Sequence, residues 1–111
     1  MNNLQNIVIK VVQDFIHTHY ETHVQPSPPN ITIVNDIPVH DDVVNFIVSD
    51  MEYFLITTDR KHERIYVVFD SEYRASIRAV RFSQEQMHHW STHNENAYHL
   101  IYNDIAKMVG Y

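Results

Sequence analysis

Three prolines in four residues, Pro26-Ser27-Pro28-Pro29, divide this chain into two regions of different periodicity. Proline lacks the amide hydrogen and fixes φ, and it drives the residue before it out of the helical region, so no regular helix runs through such a segment. On its N-terminal side, residues 3–22 have helical spacing. Leu4, Val8, Val11, Val12, Phe15 and His19 fall on one stripe. This helix is expected to end at or before Gln25, with the prolines forming a stiff, extended connection.

Beyond the prolines the pattern becomes that of strands. Ile31 to Val34 is short and β-branched, and Val43 to Val48 is a near-continuous apolar run of the kind buried on both faces. Tyr53–Thr58 and Ile65–Phe69 are rich in aromatic and β-branched residues, and Asp59-Arg60-Lys61-His62 between them reads as a hairpin turn. In residues 72–81, Tyr73, Ala75, Ile77 and Ala79 alternate with Arg74, Ser76 and Arg78, which favours a strand, although Glu, Arg and Ala also suit a helix. Ser83 and Gln86 have capping-box spacing, as do Thr92 and Glu95, so two helix starts are expected. Ala97, Leu100, Ile101, Ile105 and Met108 then make an apolar stripe, and Gly110 stands where a helix C′ residue belongs. The expected fold is α+β: an N-terminal helix, an antiparallel meander of four or five strands, and C-terminal helix packed on one face, in one domain spanning residues 1–111.

Composition removes several function classes. The 111 residues contain no cysteine, so disulfides, zinc–thiolate sites and cysteine nucleophiles are excluded. That fits a reducing cytosol, and a cytoplasmic location is the expectation. Neither an export signal nor a membrane-spanning segment is expected, because Lys10 and Asp14 interrupt the early apolar run. Gly110 is the single glycine, and glycine-rich phosphate loops and dinucleotide fingerprints need several at fixed offsets. No cofactor is expected. No combination of residues supplies nucleophile, base and oxyanion donors together, and His93-Asn94-Glu95-Asn96 lacks the flanking pattern of an HNH nuclease.

Charge is strongly segregated within a net −6. Residues 1–59 hold eight acids and one base, while residues 60–81 hold six of the eight basic residues. Asp36, Asp41, Asp42, Asp50, Glu52 and Asp59 form an acidic candidate surface, and Arg74 and Arg78 share a strand face in the basic hairpin. The acids also suit solubility and loop ends, and the arginines a solvated strand face. The negative balance disfavours direct nucleic-acid binding, which calls for a basic domain. An acidic surface instead fits a protein partner with a basic groove, where carboxylates stand in for phosphates. Seven tyrosines add interface-forming area. The leading expectation is a non-enzymatic protein-binding or inhibitor protein that docks this surface on a host nucleic-acid enzyme. Phages and mobile elements encode small proteins of that character. Charge reversal at Asp41 and Asp42 is expected to weaken such docking.

Two alternatives stand beside it. Nine histidines include His19 and His23, and His89 and His93, each pair at i, i+4 spacing, which suits metal binding or a pH response. Packed or surface histidines are the plainer account of the same residues. A small hydrolase or nuclease with an unfamiliar site is the other. A homodimer through an edge strand or an apolar helix face is compatible with all three.

Overall fold

The computed structural model describes residues 2–21, 43–73 and 76–111. The Ile31–Val34 strand, the proline connection, and His23, Asp36, Asp41, Asp42 and Arg74 lie outside them.

Helix α1 (Asn2–Tyr20) places the expected stripe in the core: Leu4, Val8, Val11, Val12 and Phe15 are fully buried, joined by Ile16. The helix stops before the prolines. Glu21 takes a left-handed φ of 52°, which ends the helical hydrogen-bond ladder locally.

Among the described residues four strands follow: β1 (Val44–Ser49), β2 (Glu52–Asp59), β3 (Arg64–Ser71) and β4 (Ser76–Ser83). They form an antiparallel meander in the order β1-β2-β3-β4. Residues 76–83 are thus strand, not helix. Among the described residues β1 is an edge strand rather than one buried on both faces, and its Ile47 is 52% exposed. The β2–β3 loop runs over residues 60–63, one position later than the sequence pattern places it, because Asp59 pairs directly with Arg64. Asp59 accepts hydrogen bonds from the backbone N–H of His62 at 3.2 Å and from its ring at 2.8 Å, bracing that turn.

Helix α2 (Gln84–Thr92) starts at the expected capping box, with both reciprocal Ser83–Gln86 bonds formed. The second start is displaced. Thr92 is still helical and donates its hydroxyl to the His89 carbonyl. The chain then turns through Asn94 at φ 58°, a conformation asparagine tolerates. Asn96, not Thr92, caps α3 (Ala97–Val109) by accepting from the N–H groups of Tyr98 and His99. Gly110 closes α3 in the left-handed region, as expected.

The three helices cover one face of the sheet. All five phenylalanines of the chain (Phe15, Phe46, Phe54, Phe69 and Phe82) are at most 1% exposed and belong to one core cluster, which Trp90 of α2 and Ile101, Ile105 and Val109 of α3 complete. On the far face a smaller cluster centres on Leu55 and Val68, with Val43 and Tyr53 packed against it.

The alternation expected in β4 is present, and the structure shows which side each set takes. Arg78, opposite Phe69, and Val80, opposite Val67, lie on the helix-covered side, and Ile77 and Ala79 face away. Arg78 donates from Nη1 to the Met108 carbonyl at 3.1 Å. This bond satisfies one of the carbonyls that the last turn of α3 leaves without an intrahelical partner.

Candidate functional site

The register of β2 and β3 assembles a group of carboxylates that lie far apart in sequence. Tyr53 pairs with Asp70 and Glu52 with Ser71, and the backbone N–H of Glu72 donates to the Met51 carbonyl at 2.9 Å. The two-residue turn Asp50-Met51 and the chain leaving β3 therefore lie side by side at one end of the sheet. Asp50, Glu52, Asp70 and Glu72 collect there. Among the described residues the nearest basic side chain along β4, Arg78, sits on the other face and is engaged by Met108.

The far face at this end encloses a cavity of about 320 Å³, lined by Asn45, Ile47, Ser49, Asp50, Met51, Tyr53, Asp70 and Glu72. Its walls combine acid, apolar and phenolic groups. Tyr53 donates its hydroxyl to Asp70 at 2.9 Å, fixing the carboxylate's position. Burial, reinforced by the hydrogen bond and negative charge of Asp70, pushes the Tyr53 hydroxyl from 10.0 up to about 12, so it stays a donor at neutral pH. Ile47 and the 68% exposed Tyr73 leave apolar area uncovered beside the acids.

The expected acids separate into distinct environments. Asp50 lines the cavity. Glu52 is at the same end but on the helix-covered side, where it accepts from the fully buried Ser71 hydroxyl at 2.9 Å. Asp59 is at the opposite end of β2, roughly 24 Å away at ~3.4 Å per residue, and is only 7% exposed in its turn-bracing role. Asp70 and Glu72 did not stand out in the sequence. Their signal is the hairpin register, which follows once the β2–β3 loop is placed.

The histidines take other roles. His19 stacks between Phe15 and Tyr111, each ring centroid 4.4 Å away, and its Nε2 lies 3.1 Å from the Tyr102 hydroxyl. His89 and His93 stack at 4.1 Å, with His93 Nδ1 2.9 Å from the His89 carbonyl oxygen. Among the described residues no three His, Cys, Asp or Glu side chains come together in a way that could hold a metal ion. No described helix is long and apolar enough to cross a membrane.

The opposite end of the sheet is basic. Arg60 and Lys61 occupy the β2–β3 loop, and Arg64 and Arg81 lie diagonally on the far face, opposite Ser83 and Tyr66 respectively. A cleft of about 210 Å³ opens there, and Glu63 and Glu85 also contribute to its lining. Comparison of the chain with family models, with curated proteins and with solved structures finds no match.

Proposed function

We propose that this is a non-enzymatic binding protein that docks the acidic end of its sheet on a basic surface of a protein partner. The observation that carries this reading is the far-face cavity in which Asp50, Asp70 and Glu72 surround exposed Ile47 and the phenol of Tyr53. Acidic groups alone serve solubility. Carboxylates set around uncovered apolar and aromatic area form the combination that protein interfaces use, with charge for steering and register and apolar anchors for affinity. The groove of a nucleic-acid enzyme is the type of partner surface that fits, since it is built to accept closely spaced anions. A small inhibitor of such an enzyme, of phage or mobile-element origin, accords with this chemistry and with the net charge of −6.

The test is a capture experiment from a bacterial lysate at low and moderate salt, with three baits. The native chain is expected to retain one stoichiometric partner that salt releases. A bait carrying Asp50→Lys and Glu72→Lys is expected to lose it, and Ile47→Asp to weaken it. Equal capture by the native and charge-reversed baits, or no partner at either salt, sinks the proposal.

A further inference from the structure

The two ends of this sheet carry opposite charge on the same face, and their chemistry is complementary. At one end Asp50, Asp70 and Glu72 line a cavity. At the other, Arg64 and Arg81 flank a cleft between the β2–β3 loop and the start of α2. The cross-strand register, Arg64 opposite Ser83 and Tyr66 opposite Arg81, makes the two arginines diagonal neighbours. Among the described residues neither guanidinium forms an ion pair, although Glu63 and Glu85 share the cleft. Both therefore keep donors open to an incoming carboxylate.

We propose that the Arg64–Arg81 cleft takes the acidic sheet end of a second copy of this chain, so that the protein self-associates head to tail. A second copy fits better than a small phosphate. Glu63 and Glu85, both exposed beside the arginines, repel a compact dianion, whereas carboxylates spread over Asp50, Asp70 and Glu72 can approach each guanidinium separately. The fork of an arginine suits a carboxylate in two-point contact. Because the two contacting surfaces differ, each copy keeps one free surface of each kind. The assembly then grows as a chain or closes as a ring, unlike a two-fold dimer, which uses one surface twice. The contact is dominated by exposed charge, so it is weak and salt-sensitive. The inference uses the same acidic end as the proposed partner interface but does not depend on a partner existing. If both hold, self-association and partner binding compete.

Sedimentation velocity of the full chain over a range of concentrations tests this at about 20 mM and about 500 mM salt, where the screening length changes severalfold. At low salt the average sedimentation coefficient is expected to rise with concentration, and at high salt to stay at the monomer value. Arg64→Ser with Arg81→Ser, and separately Asp50→Asn with Glu72→Gln, are each expected to remain monomeric. A one-to-one mixture of these two double variants restores a single native contact, so it is expected to form a species of two copies that grows no further. Arg81→Gln, at an exposed position where folding is insensitive, is expected to weaken association about tenfold, as loss of a charge-assisted pair does. A native chain that stays monomeric at low salt overturns the proposal. So does self-association that persists in both double variants, which points to pairing of the β4 edges, and so does a mixture that stays monomeric although each variant keeps the native circular dichroism.

Discussion

The two faces of the sheet divide the aromatic residues between them and the helices with little overlap. The helix-covered face and the helix that fills it hold all five phenylalanines, each essentially inaccessible. The seven tyrosines are all half-buried or exposed. Tyr53 and Tyr66 lie on the far face, and Tyr98 and Tyr102 at the α1–α3 seam. A phenyl ring contributes only apolar area, so it gains most where water is excluded from all sides. A phenol keeps a polar tip that needs a partner or water, so it settles at boundaries. One face thus concentrates folding free energy, while the ends of the other concentrate charge and exposed aromatic area.

The largest test of that division is a pair of truncations on adjacent residues that point to opposite faces. Phe54→Ala on the helix-covered side is expected to cost about 3–5 kcal/mol, since it opens a cavity among Phe15, Phe69 and the surrounding aliphatics. Leu55→Ala, in the smaller cluster, is expected to cost about 2 kcal/mol, the lower end for its class, because half-buried Val43 and Tyr53 have room to collapse into the space. Urea denaturation with an unchanged slope measures both. If Leu55→Ala proves as costly as Phe54→Ala, the asymmetry of the faces is not energetic.

A second test comes from the dry side. Thr58 is 1% exposed, and among the described residues its hydroxyl has no hydrogen-bond partner. Thr58→Val keeps the shape and removes an unpaired polar group, so it is expected to raise stability by about 1 kcal/mol. A loss of stability on this substitution indicates a hydroxyl partner and a wetter core than the phenylalanines imply.

How far these features were legible in the sequence depended on how local their causes are. The α1 stripe, the Ser83–Gln86 box and Gly110 are encoded within one or two turns, and each is realised. The meander followed from the succession of β-rich segments and polar turns. What was not legible needed information from a partner element. Arg78 faces the helices because the carbonyl end of α3 lies there to accept its guanidinium, and alternation alone assigns that side to apolar residues. Likewise, placing the β2–β3 loop one residue early pairs Tyr53 with Val68, and the acidic end then dissolves. In the structure Tyr53 meets Asp70, so a small offset in a turn decides which carboxylates share a site.

The boundary tyrosines give a test that spans both sides of the sheet. Tyr98 donates to Asp14 across the α1–α3 seam, as Tyr53 does to Asp70 on the far face. Burial first, then the neighbouring carboxylate, raises each hydroxyl from 10.0 to about 12. Both phenols are neutral in the folded and unfolded chain well below pH 10. Between about 10 and 12 the unfolded chain releases these protons while the folded chain keeps them, so stability falls as pH rises through that window. Melting temperatures followed across it are expected to decline less steeply in Tyr53→Phe and in Tyr98→Phe than in the native chain. A native slope in either variant shows that the corresponding phenol is not shielded in solution.

The smallest expected effect is the one that separates folding from docking most directly. Ile47 projects from the edge strand with about half its surface in water, so it gains little from burial within the chain. Its replacement by threonine keeps β-branching and strand propensity and is expected to change stability by less than about 0.5 kcal/mol. The same substitution removes apolar area from the wall of the acidic cavity, so it is expected to weaken capture of a partner while leaving the melting temperature in place. A melting-temperature drop matching a loss of well over about 1 kcal/mol makes Ile47 a structural residue. The exposed apolar wall then belongs to the fold, and the division of labour between the two faces is weaker than their aromatic residues indicate.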